Sequence, residues 1–164
     1  MKNTVLIVDD DLILAQEIWS PYLESLDYRV IAVCATGAEA IEVAKSQPPG
    51  IALVDISLAG DMEGVEVAAN LMAQRRPIPV IVVIISAYTQ DEVPDLTLLK
   101  EGFLYLEKPF SLEQLGEVMQ RASTVPAHGA ETLNTELLRV LNSKADLLTI
   151  QLNGARRRRM THHA

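Results

Sequence analysis

Asp55 closes an apolar run, Ile51-Ala52-Leu53-Val54, and is followed by small and polar residues from Ile56 to Gly64, with Gly60 and Gly64 among them. Three acids, Asp9, Asp10 and Asp11, follow the run Thr4 to Val8. Ser86 follows Val80 to Ile85, and Lys108 comes just after Phe103 to Leu106. Clustered carboxylates with few soft ligands suit magnesium, a hard cation that takes oxygen ligands and keeps several waters. A carboxylate beside such a cation can attack a phosphoryl group while the metal and an ammonium neutralise charge on the phosphoryl oxygens. A nearby hydroxyl can then hydrogen-bond to the new phosphate, and the product is an acyl phosphate on Asp55. Three acids in a row repel one another unless a cation or solvent offsets the cost. The alternative is an acidic helix start, where Asp caps the helix and suits its dipole. That alternative is preferred for Asp11, whereas Asp9 and Asp10 face the same edge as Asp55.

The elements that must position these residues alternate along the chain. An unbroken apolar run bounded by turn residues reads as a strand buried on both faces, the signature of a parallel sheet. Such strands are expected at Thr4 to Val8, Arg29 to Cys34, Ile51 to Val54, Val80 to Ile85 and Phe103 to Leu106. Between them, Leu12 to Leu26 carries helical spacing at Leu14, Ile18, Tyr22 and Leu26, with Trp19 and Leu23 flanking, and Pro21 should kink or split it. Thr36 can cap a helix from Gly37 to Ser46, ended by Pro48-Pro49-Gly50. Val65 to Gln74 gives a third helix and Val93 to Lys100 a poor fourth, with Pro94 in its first turn. Ser111 caps a fifth from Leu112 to Ala122, with Gln114 completing a capping box. Strands alternating with helices over short connections make a doubly wound α/β fold with a five-stranded parallel sheet. In such sheets ligands collect outside the carboxyl ends of the strands, where the acids, the hydroxyl and the lysine converge.

Composition narrows the class. A chain of 164 residues that is 49% hydrophobic and 22% charged is one ordinary globular domain with a short appendage. Its apolar runs fall short of the roughly 20 residues a membrane span needs, and Met1-Lys2-Asn3-Thr4 enters a strand directly, so a cytoplasmic location is expected. The single Cys34 lies among Val30, Ile31 and Val33 and reads as a packed thiol. Residues 1 to 122 hold 8 basic against 19 acidic side chains, which argues against DNA binding by this part of the chain.

These residues together resemble the receiver domain of bacterial two-component response regulators over residues 3 to 122. The matching pieces are Val8-Asp9-Asp10, Asp55, Ser86-Ala87, and Tyr105-Leu106-Glu107-Lys108-Pro109-Phe110. The resemblance implies a flavodoxin-like fold of strand order 2-1-3-4-5 and a signalling domain rather than an enzyme. It implies Asp55 as phosphoacceptor, Asp10 as a direct magnesium ligand, Asp9 as a ligand through water, and Ser57 as a ligand through its backbone carbonyl. Ser86 resembles the switch hydroxyl, Lys108 the invariant lysine, Tyr105 the aromatic that rotates inward on activation, and a cis bond is implied at Lys108-Pro109. The implied donor is a sensor histidine kinase or a histidine phosphotransfer protein. Two departures stand out: Ala59 where most receivers have proline, in a loop one residue longer with Gly60 supplying the turn, and Pro94 with Asp95 to Leu99 in the fourth helix. The rival reading is a haloacid-dehalogenase-like phosphatase with Asp9 as nucleophile and Asp11 as acid-base. A third reading is a receiver-fold interaction module that is not phosphorylated.

Residues 123 to 130 read as a linker and 131 to 164 as a C-terminal helical extension with a basic tail. Thr132 to Leu152 has 3,4 spacing at Leu138, Leu141, Ala145, Leu148 and Leu152, which fits packing on its own domain or a homodimer contact. Arg156 to Arg159 is a four-arginine cluster that reads as a solvated tail. The expectation is a stand-alone receiver that acts through protein contacts.

Overall fold

The computed structural model describes residues 3–74, 76–93 and 103–125. Five strands, β1 (Thr4–Val8), β2 (Arg29–Cys34), β3 (Ile51–Asp55), β4 (Ile81–Ser86) and β5 (Phe103–Glu107), form one sheet in the order β2-β1-β3-β4-β5. Every neighbouring pair is parallel. Period-two alternation sends Val5 and Ile7 of β1, Ile51 and Leu53 of β3, and Ile81, Val83 and Ile85 of β4 to one face. Leu6, Val8, Ala52, Val54, Val82 and Ile84 go to the other. Both faces are covered, so β1, β3 and β4 are buried along their whole length and their interiors are runs of apolar residues rather than an alternation. Fully burying one such side chain contributes roughly 2 kcal/mol.

Helices α2 (Gly37–Ser46) and α3 (Gly64–Ala73) cover the second face through Ala40, Ala44, Val67, Ala68 and Leu71. Thr36 caps α2 as expected, its hydroxyl accepting from the Glu39 amide. Helix α1, over 12–25, and α4 (Leu112–Thr124) cover the first face. Ser111 and Gln114 form the expected capping box, and α4 runs two residues past the expected end, where Ser123 Oγ bonds the Tyr28 hydroxyl at 2.9 Å. A 3-10 turn, Gln90–Glu92, follows β4. Among the described residues, no helix is long and apolar enough to cross a membrane.

Helix α1 departs from its expected face. It is built as Leu12–Leu14, a π-helical turn Ala15–Trp19, and Ser20–Ser25. Ala15, Trp19 and Leu23 are buried, whereas Ile18 and Leu26, expected on the buried stripe, are 47% and 41% exposed. Leu14 and Tyr22 are partly buried and pack on the same face, so the buried side of α1 is centred on Ala15, Trp19 and Leu23, with the π turn holding Ala15 and Trp19 four residues apart on it. The expected fourth helix beyond Val93, the linker from 126, the helix from Thr132 to Leu152 and the Arg156 to Arg159 cluster lie outside the described residues.

Candidate functional site

The acids, the hydroxyl and the lysine singled out in the sequence stand together at the carboxyl edge of the sheet. Asp9 follows β1, Asp55 ends β3, Ser86 ends β4 and Lys108 follows β5. Backbone bonds carry the sheet ladder past the strand ends and fix these positions: Asp9 N to the Cys34 carbonyl (3.0 Å), Ile56 N to Ile85 (2.9 Å) and Lys108 N to Ser86 (2.7 Å). The Lys108-Pro109 bond is cis. The loop after Asp55 turns at Gly60, whose φ of 103° suits a residue without Cβ. It closes where the Gly64 amide donates to the Ile56 carbonyl, and a Cβ on Gly64 would stand 1.9 Å from the Asp55 carbonyl oxygen.

The side chains of Asp9, Asp10 and Asp55 each offer an oxygen within 4.8 Å of the others. Asp9 and Asp55 are buried, at 1% and 5% exposure, and Asp10 is exposed. Lys108 Nζ donates to Asp55 Oδ2 at 2.6 Å and to Asp9 Oδ2 at 3.2 Å. The remaining oxygens accept from amides, Asp9 Oδ1 from Asp11 and Asp55 Oδ1 from Ser57. Burial pushes the Asp9 carboxyl above its ordinary range, against the Asp11 amide and Lys108, while the Asp55 charge pushes it further up. Burial also opposes the charged form of Lys108, but its hydrogen bond and attraction to Asp55, joined by Asp9, hold the ammonium above the usual lysine range. Three carboxylates around one ammonium leave an excess of negative charge among oxygen donors, which fits a divalent hard cation. Asp11 is used otherwise: its carboxylate accepts from the Leu14 amide at 3.1 Å and caps α1, which leaves the aspartate-x-aspartate reading without its acid-base.

Ser86 and Tyr105 form a second group beside the first. Ser86 is buried and its Oγ accepts from the Tyr88 amide at 3.0 Å, while the Tyr105 hydroxyl donates to the Tyr88 carbonyl. Burial pushes the Tyr105 phenol up, the nearby Ser86 hydroxyl works against this, and Glu107 and Glu92 add to the rise. Cys34 is buried at the end of β2, and burial with the nearby Glu39 charge pushes its thiol up to about 11, as a packed cysteine requires.

Sequence reasoning missed two contributors. Trp19, read as a flanking position, lies against Phe110, and Lys108 Nζ stands 5.8 Å from its ring centroid. Gly64, read only as a turn residue, permits the close approach that fixes the Asp55 backbone. The only sequence signal for the first was a proline inside a helical pattern next to the chain's single tryptophan.

Comparison with known proteins agrees with this geometry. The family model described as response regulator receiver domain matches residues 5–120. The positive alginate biosynthesis regulatory protein of Pseudomonas aeruginosa is 36% identical over 121 residues, covering 73% of this chain and 46% of the relative. The probable transcriptional regulatory protein TcrX of Mycobacterium tuberculosis is 32% identical over 112 residues, covering 68% and 46%. The chain therefore spans about half the length of these curated relatives. Among solved structures, the signal receiver domain of a modulated diguanylate cyclase from Desulfovibrio desulfuricans G20 is 35% identical, with a TM-score of 0.62 over 73% of this chain and 92% of that one.

Proposed function

The chain belongs to the response regulator receiver domain family of two-component signalling, and on that premise we propose that it accepts a phosphoryl group on Asp55 from a histidine kinase or phosphotransfer protein. The observation that carries this reading is the buried Asp55 carboxylate, bonded to Lys108 at 2.6 Å inside a three-carboxylate cluster. An Asp55 oxygen attacks phosphorus, the new O–P bond forms as the P–N bond to the donor imidazole breaks, and the imidazole leaves with a proton. Lys108 then neutralises charge on the phosphoryl oxygens, and the Ser57 amide orients the carboxylate. Asp10, Asp9, Asp55 and the Ser57 carbonyl would hold magnesium, which supplies charge neutralisation at the phosphoryl oxygens. Ser86 and Tyr105 report the event. A phosphate that draws the Ser86 hydroxyl takes it from the Tyr88 amide, and the loop at Tyr88 then releases the Tyr105 hydroxyl from its carbonyl.

Around this site we place a receiver over residues 1–122, extended by α4 to Thr124, that signals by protein contact in the cytoplasm and is followed by a linker and a C-terminal helical extension with a basic tail. The test is intact mass after incubation with magnesium and acetyl phosphate, with oligomeric state read on the same sample. Wild type is expected to gain one phosphoryl group and Asp55→Asn none. Uptake by Asp55→Asn contradicts the assignment. Hydrolysis of a generic phosphate ester that survives Asp55→Asn would favour the phosphatase reading, and magnesium binding without uptake from any donor the unphosphorylated module. A change in size on phosphorylation would identify self-association as the output.

A further inference from the structure

Ser20 and Pro21 interrupt α1 in a way that aims one side chain at the site. Pro21 has no N–H, and its ring crowds the carbonyl four residues back, at Glu17. The chain accommodates it with the π-helical turn Ala15–Trp19. The Ser20 amide reaches the Ala15 carbonyl five residues back, and Ser20 Oγ donates to the same oxygen at 2.8 Å. A π turn inside an α-helix reorients the side chains around it. Trp19 accordingly faces the sheet, 4% exposed, with its ring centroid 5.3 Å from that of Phe110. Lys108 Nζ lies 5.8 Å from the indole centroid, so the ammonium has buried carboxylates as one set of neighbours and an aromatic ring as another.

An ammonium within about 6 Å of a ring is attracted by its quadrupole, and indole is the strongest such partner among the side chains. Carboxylates alone hold a lysine loosely in angle, because its ammonium is a point charge on a flexible stem. We propose that Trp19 is a positioning residue for Lys108: its indole confines the ammonium to the space beside Asp9 and Asp55, and the π turn set by Ser20-Pro21 puts it there. The inference rests on the reading of Asp55 as acceptor and Lys108 as its cationic partner. Trp19 touches no reacting atom and acts through Lys108.

Two measurements on the full chain separate the outcomes. In metal-free protein the emission of Trp19 is compared between wild type and Lys108→Met, which keeps the apolar stem and removes the ammonium. A changed intensity is expected, and unchanged emission overturns the contact whatever Asp55 does. The second measurement is the rate of phosphoryl uptake from acetyl phosphate with magnesium. Trp19→Leu is expected to slow it about fivefold, and Trp19→Phe, which keeps an aromatic ring, about twofold. Neither substitution should add a loss in a Lys108→Met background, because the coupled partner is already gone. Equal losses in both backgrounds would mean ordinary packing and overturn the proposal, as would a full rate in Trp19→Leu. If Trp19→Leu fails to fold, the Trp19→Phe pair of backgrounds decides by the same criterion. Wild type that takes up no phosphoryl group overturns the acceptor reading instead, and the emission then decides the role of Trp19 alone.

Discussion

The two ends of the sheet both bury polar groups, and they treat them in opposite ways. At the amino end, the half-buried Arg76 donates to the carbonyls of Ala44 (3.2 Å) and Pro49 (3.4 Å) and to the Gln74 side chain. Nearby, Thr4 Oγ1 accepts from the Gly50 amide at 2.9 Å. One cation there meets neutral acceptors, and burial pulls its pKa down. At the carboxyl end two buried carboxylates, Asp9 and Asp55, meet one ammonium, and the exposed Asp10 carboxylate stands beside them. The first arrangement is complete by itself. The second leaves an excess of negative charge that a bound cation would relieve, which sets it apart from the self-contained cluster at the amino end.

Three substitutions sharpen or break that contrast. The largest effect is expected from Gly64→Ala, where the new Cβ would collide with the Asp55 carbonyl oxygen. A loss of about 3 kcal/mol in denaturant unfolding is expected, and a loss near zero would show that the loop after Asp55 relaxes freely. Arg76→Met should cost about 1–2 kcal/mol by leaving carbonyls without their donor, with the stabilisation by magnesium unchanged. An altered magnesium response in this variant would collapse the distinction between the two ends.

Asp9→Asn should act in the reverse direction and by less, under about 1 kcal/mol, raising the stability of metal-free protein while reducing its gain from magnesium. The sign follows from the raised Asp9 carboxyl. The folded state binds that proton more tightly than the unfolded chain, so the Asp9 contribution falls as pH rises from the ordinary value of 3.8 through the folded one. The gap between wild type and Asp9→Asn should therefore narrow as pH is lowered toward 3.8 in metal-free melting experiments. A gap that widens on acidification would mean that the attraction of Lys108 outweighs burial and the Asp55 charge at Asp9.

Much of the carboxyl end was legible in the sequence because its strands are local in character. The apolar runs of β1, β2 and β3 are bounded by Asp, turn or Gly residues, and their limits fall within a residue of those expected. Caps at Asp11, Thr36 and Ser111 were readable for the same reason, since each is a short-range bond between a side chain and the following turn. Side chains brought together from distant segments were less legible. The π turn was not, because a 3.6-residue repeat has no place for an added residue; Leu14 and Tyr22 pack on the core as expected, but Ala15, Trp19 and Leu23 are the fully buried positions and Ile18 is exposed. The Trp19 contact with Lys108 spans most of the domain, as does that of Tyr28 with Ser123, and no local pattern encodes either. The bonds of Ser86 and Tyr105 to Tyr88 depend on how the chain turns after β4, which the apolar run itself does not specify.

The central claim is that the phosphoryl group sits on Asp55, and mapping its position tests this most directly. Protein treated with acetyl phosphate and magnesium would be reduced with borohydride, which converts an aspartyl phosphate to homoserine, and then digested and sequenced by mass spectrometry. The account predicts conversion at residue 55, with Asp9 and Asp10 intact. Conversion at Asp9 with Asp55 unchanged would contradict it and assign the chemistry to a different nucleophile.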